Sequence, residues 1–131
     1  MEKSDCIFCK IVDGEVPAHI VFENSDYMAF LDINPHVEGH TIVIPKKHYR
    51  WVYDIKNIGE YWETIQTVTK QIDRALKPEF LNYFTYGMDA PHAHVHILPR
   101  KSMKEKDILP KQPKDMPSTE ELHKLAKKIR D

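Results

Sequence analysis

Three histidines at alternating positions, His92, His94 and His96, stand in the run PHAHVHILPR at residues 91–100. On a strand, residues i, i+2 and i+4 share one face. The spacing therefore predicts three imidazoles side by side, with Ala93, Val95 and Ile97 turned to the core. As ordinary buried histidines, three rings in register would crowd polar groups at a cost, unless a ligand or a network satisfies them. Two chemistries would use them. His-x-His can aim two nitrogens at one zinc, and a third ligand plus water would make a hydrolytic centre. In the other, a neutral imidazole attacks phosphorus while its second nitrogen, held as a donor, fixes the tautomer and neighbours stabilise the phosphoryl oxygens. Spacing alone leaves both open.

The second chemical feature is Cys6-x-x-Cys9, and these are the only cysteines in the chain. No signal-peptide pattern is visible from Met1 onward, so the expected location is cytoplasmic. There the pair reads as metal ligands or a redox pair rather than a structural disulfide. Helical i, i+3 spacing, with Ser4 or Asp5 as N-cap, would put both thiols on one face.

The elements that must position these residues follow from periodicity. Strands are predicted at 19–23, 27–32, 41–44, 80–86 and 92–99, separated by Asn24-Ser25-Asp26, the longer turn 34–39 and a tight turn at 87–91. Ile58, Tyr61, Trp62, Ile65, Val68, Ile72, Ala75 and Leu76 recur at helical spacing. Asn57 and Glu60 resemble a capping box, and Pro78 ends the run. Residues 101–117, rich in lysine and proline, read as an extended, mobile segment. Ser118 to Glu121 opens a short C-terminal helix over 118–131 with Leu122, Leu125 and Ile129 on one face. The expectation is a single α+β domain over 1–131: an antiparallel sheet of about five strands, one long helix and the short terminal one. At 131 residues it is long enough for one core. Nineteen basic against twenty acidic residues argue against a nucleic-acid or membrane-surface partner.

His92-Ala93-His94-Val95-His96-Ile97-Leu98 resembles the His-φ-His-φ-His-φ-φ signature of the histidine triad (HIT) family of nucleotide hydrolases and transferases. The likeness extends over residues 5 to 101. It includes the turn Gly14-Glu15-Val16-Pro17, then Asp32-Ile33-Asn34-Pro35, Gly39-His40 and Ile44-Pro45-Lys46-Lys47-His48. The resemblance implies a HIT-like fold and a nucleotide substrate. It makes His94 the nucleophile that takes up a nucleoside monophosphate, His96 a ligand of the phosphate oxygens, and His92 a support through its backbone carbonyl. It places Asp32 on the ribose hydroxyls, Ile7, Phe8, Phe30 and Ile33 around the base, and Asn82 among the nucleotide-binding residues. His40 matches a further family histidine. Some members hold a structural zinc, which here would fall to Cys6, Cys9, His48 and His92, with no catalytic metal required. The family commonly pairs two protomers through the long helix and a strand, and the helix face with Trp51 or Trp62 would suit such a homodimer.

One region departs from the common pattern. Many members carry a longer loop ending in Gln-Ser-Val or Gln-Thr-Val between the last two strands. Here the short turn 86–91 is similar to a branch reading Asn-Tyr…Gly-Asn-x-x-Pro-His, but Met88 replaces that Asn. Asp89 sets a carboxylate near the expected phosphate, an unfavourable neighbour unless it points away or binds a cation. Two alternatives remain at this level: a catalytic zinc hydrolase using all three histidines, and a nucleotide-binding regulatory protein with weak or no turnover.

Overall fold

Alternation of side chains builds two buried layers. The structure, a computed structural model, describes residues 5–131. Every residue of β2 (Tyr27–Leu31) and β3 (Thr41–Pro45) is buried. Tyr27, Ala29, Leu31 and Val43 turn to one side, against Tyr61, Ile65, Val68 and Ile72 of α2 (Ile58–Leu76) and Leu122, Ala126 and Ile129 of α3 (Thr119–Arg130). Met28, Phe30, Ile42 and Ile44 turn to the other, against Cys6, Cys9 and Phe8, the last two on α1 (Ile7–Val12). With β1 (Ile20–Glu23), β4 (Phe80–Phe84) and β5 (Val95–Arg100), these strands make one antiparallel sheet in the order β1-β2-β3-β5-β4. The α+β expectation holds.

Three local expectations are corrected. β5 begins at Val95, so His92 and His94 precede the regular strand and only His96 lies on it. The ladder with β3 runs from Thr41↔Ile97 to Val43↔Val95. Beyond it β3 reaches Pro45, which has no N–H to give, and its carbonyl instead accepts from His92 Nε2 at 2.8 Å. Asn57 is not a side-chain cap: it sits at φ 56° with no capping bond, a left-handed conformation that asparagine tolerates. Cys6 caps α1, its Sγ accepting from Cys9 N at 3.3 Å; of the two expected caps, Asp5 does not cap, and Ser4 lies outside the described residues. The Ser118–Glu121 capping box forms as expected.

Residues 101–117 contain neither helix nor strand, yet they do not leave the domain. Asn82 Nδ2 and Arg100 Nη1 donate to the Ile108 carbonyl at 3.0 and 3.5 Å. His36 Nδ1 donates to the Pro110 carbonyl at 2.6 Å, and Gln112 Nε2 to the Asn34 carbonyl at 2.8 Å. This strap lies along the turn that joins β2 to β3.

Candidate active site

Two constellations meet at His92, one built on its side chain with the cysteines and one on its backbone carbonyl at the cavity. On the first side, His92 Nδ1 lies 3.3 Å from Cys6 Sγ and 3.5 Å from Cys9 Sγ, and His48 Nδ1 lies 3.3 Å from Cys9 Sγ. The ligand atoms of all four residues fall within 4.8 Å of one another. Because a carbonyl can only accept, the bond to Pro45 puts the His92 proton on Nε2 and leaves the Nδ1 lone pair aimed at the two sulfurs. A carbonyl that orients a histidine in this way is the usual outer partner of a metal ligand. Cys₂His₂ is a donor set suited to tetrahedral zinc, so these residues could hold that metal.

On the second side the same accept-or-donate logic assigns the other rings. His94 Nδ1 lies 2.7 Å from the His92 carbonyl, so it carries the proton. Its Nε2 lone pair makes no hydrogen bond to the described residues, and the ring lines a cavity of about 750 Å³. Thr85 Oγ1 donates to the His94 carbonyl at 2.7 Å and fixes that backbone. The His36 amide donates to His40 Nδ1 at 3.1 Å, so the His40 proton sits on Nε2 and is given to His96 Nδ1 at 2.8 Å. That leaves His96 protonated on its outer Nε2, a donor without a partner among the described residues. The chain His36→His40→His96 thus ends in an N–H beside the His94 lone pair, with the two rings 4.8 Å apart. Phe8 meets the His94 ring edge-on at 5.0 Å, and Phe84 stacks on His96 at 4.3 Å.

Burial sets the charge of these rings. It pushes His40 down to about 4 and His96 to about 3, with neighbouring histidines adding to the effect. Burial also lowers His94, opposed by the His92 carbonyl and by the charges of Asp32 and Asp89, and reinforced by Arg50. All three are neutral near pH 7 on these grounds. Asp32, His40 and His96 also bring three possible ligand atoms within 4.8 Å. A metal on His40 Nε2 would require an imidazolate, since Nδ1 already accepts from a backbone amide, so the hydrogen-bond chain is the better account.

The residues singled out from sequence fall in several places. His94, His96, Asp32 and Phe8 line the cavity together, with His40, Asp89 and Ile42. Phe30 is buried behind Phe8 at 5.5 Å. Ile7 and Ile33, 44 % and 60 % exposed, stand outside the wall of the cavity. Asn82 is not in the wall either: its amide links Arg100 Nη1, at 3.1 Å, to the strap. The three histidine side chains do not converge on one point, because the His92 side chain turns toward the cysteines. Sequence reasoning did not reach His36, Thr85, Leu109 or Gln112. His36 could have been suspected from its place in the 32–40 turn, whereas Leu109 and Gln112 carry no local signal.

A family model described as the HIT domain matches residues 13–103. Adenosine 5'-monophosphoramidase HNT1 of Saccharomyces cerevisiae is 34% identical over 131 residues, covering 93% of this chain and 82% of that protein. A HIT-like protein from Bartonella henselae superposes with a TM-score of 0.82 at 31% identity, over 97% of this chain and 95% of that one. A Zn-bound histidine triad family protein from Mycobacterium smegmatis superposes with a TM-score of 0.73 at 26% identity, over 98% and 93%. Five antiparallel strands carrying this histidine constellation define the histidine triad class of fold and site. The chain belongs to the histidine triad (HIT) family.

Proposed function

We propose that this protein is a nucleotide hydrolase that releases a nucleoside 5'-monophosphate, AMP or GMP, from a phosphoramidate or a dinucleoside polyphosphate through a nucleotidyl-His94 intermediate. One observation carries the reading: the His92 carbonyl holds the His94 proton on Nδ1 at 2.7 Å, leaving the Nε2 lone pair in the cavity wall beside the His96 N–H. Nε2 attacks the α-phosphorus and the bond to the leaving group breaks, its electron pair going to that group, which as an amine takes up a proton from solvent. The ring becomes a phosphorylated imidazolium whose positive charge the His92 carbonyl stabilises. His96 Nε2–H donates to a phosphoryl oxygen. Water then attacks phosphorus, the P–N bond returns its electrons to His94, and the water proton goes to solvent. Asp32 is suited to accept the ribose hydroxyls, and Phe8, with Phe30 behind it, to flank the base, while Ile7 and Ile33 stand outside the cavity wall.

The cavity wall bears on the leaving group. It includes Asp32 and Asp89, and no lysine or arginine is among its described residues. A polyphosphate leaving group would bring several negative charges to a wall that carries two carboxylates, with the Arg50 charge, which reaches His94, to set against them, whereas an amine brings none. The phosphoramidate is therefore the favoured substrate class, in keeping with the name of the yeast relative. In the reading, zinc on Cys6, Cys9, His48 and His92 is structural: it would tie α1 to the residue whose carbonyl orients His94. The reading includes a homodimer along β4 and α2, since β4 is an edge strand and Trp62 and Tyr83 are 42 % and 40 % exposed. It also includes a cytoplasmic location, where thiol ligands stay reduced.

The test is intact-protein mass after brief mixing with adenosine 5'-phosphoramidate, with diadenosine tetraphosphate and His94→Ala run in parallel. The expected result is an acid-labile gain of one AMP on wild type only, formed faster from the amidate. Nucleotide binding with neither adduct nor AMP release would favour a binding protein without turnover. Turnover surviving in His94→Ala would remove His94 as nucleophile.

A further inference from the structure

Residues 108–112 lie beyond the segment 13–103 that the family model matches, yet Leu109 and Gln112 line the same cavity as His94 and His96. We propose that this strap is a nucleoside clamp of the active site, with Leu109 and Gln112 as substrate-binding residues and His36 as the positioning residue that couples the clamp to His96. The inference rests on the nucleotide reading above.

The strap is seated by polar contacts. Its Ile108 and Pro110 carbonyls accept from Arg100, Asn82 and His36, and Arg100 is itself almost fully buried at 1 % exposure. Its apolar side chains are not what holds it, since Ile108 is 80 % and Leu109 48 % exposed. Here Leu109 presents half of its surface at the cavity mouth, where a flat apolar group could cover it. Gln112 identifies the end of the cavity concerned. Its Nε2 donates to the Asn34 carbonyl, and the Asn34 amide donates to Asp32 Oδ1 at 2.8 Å. Gln112 therefore stands beside the carboxylate suited to ribose hydroxyls, and its Oε1 makes no hydrogen bond to the described residues. That oxygen can accept from a ribose hydroxyl or a base amino group.

His36 joins the strap to the chemistry. Its ring donates to the strap at Pro110, and its amide donates to His40, which in turn orients His96. Displacing the strap removes the partner of the His36 ring, and any shift of residue 36 loosens the bond that fixes the His40 proton. Clamp and phosphate donor are in this way linked through one residue.

The experiment combines AMP affinity by calorimetry, steady-state kinetics on adenosine 5'-phosphoramidate, and trypsin cleavage at Lys111 and Lys114. Leu109→Gly and Gln112→Ala are expected to weaken AMP binding and raise KM about 5- to 20-fold, with kcat within about 2-fold, as for lost uniform binding. His36→Ala is expected to lower kcat as well, and His36→Asn, whose amide can still donate to Pro110, to restore most of it. AMP should protect the strap of wild type from trypsin. Wild-type AMP binding with unchanged affinity in the strap variants, or no protection, would overturn the clamp. An absence of AMP binding by wild type would instead overturn the nucleotide reading on which it stands. Thermal melting of each variant separates a clamp from a stability effect: melting points within a degree or two of wild type are expected, and a KM change that tracks unfolding would refute the proposal.

Discussion

At the scale of single residues, protonation states follow from who can only accept and who can only donate. The carbonyls of His92 and Pro45 and the amide of His36 decide the tautomers of His94, His92 and His40. The low value at His40, about 4, has a thermodynamic consequence. An unfolded chain holds His40 near 6.5, so between about pH 6.5 and 4 the unfolded state binds more protons than the folded one. Folding stability is therefore present above pH 6.5 and is lost as pH falls toward 4. Urea denaturation of wild type and His40→Asn across pH 7 to 4.5 checks this. Wild type is expected to lose about 2 kcal/mol more than the variant, and parallel pH curves would contradict a buried neutral His40.

At the scale of elements, the turn from β2 to β3 sets the site. It carries Asp32 at one end and His40 at the other, closed by Asp32 N to His40 O at 2.9 Å and His40 N to Val37 O at 3.1 Å. Gly39 makes this path available with φ 87°, and a Cβ there would lie 2.5 Å from Leu76 Cδ1 and 3.0 Å from Pro99 Cγ. Gly39→Ala is expected to cost on the order of 1–3 kcal/mol in denaturant unfolding and to lower turnover by moving His40. His96 is held by the ladder, opposite Ile42 of β3 and Phe84 of β4. The adjoining 92–94 segment lies outside that ladder and is held by the His92 side chain on the Pro45 carbonyl and by Ala93 N donating to the Tyr49 carbonyl at 2.7 Å.

At the scale of the molecule, the sheet separates two functions. One face, with α2 and α3, is the larger apolar core; the other, with α1, carries the cysteines and the cavity. If the four-residue cluster holds zinc, Cys6→Ala should abolish metal content by elemental analysis, whereas His94→Ala should stay loaded. Chelation should lower the melting temperature by roughly 5–15 °C, corresponding to about 2–4 kcal/mol at a few degrees per kcal/mol. Metal lost from His94→Ala and kept in Cys6→Ala would place the ion among the strand histidines instead. No helix among the described residues is long and apolar enough to cross a membrane.

Period-two and period-3.6 patterns were sufficient for the five strands, α2 and the terminal helix, because those elements bury alternate or stripe-forming side chains whatever their partners. The resemblance of the motifs to the HIT family, rather than spacing alone, brought His94, His96, Asp32 and the Cys₂His₂ set into view. Three features depended on the tertiary structure. The register between Pro45 and the 92–94 segment turns one histidine toward the cysteines and leaves the next facing the cavity, a distinction that alternation cannot make. The conformation of Asn57 overrides a capping pattern that reads correctly at Ser118. The strap acquires its place from donors at residues 36, 82 and 100, far from it in sequence, so a lysine- and proline-rich run with no periodicity gives no local sign of where it docks.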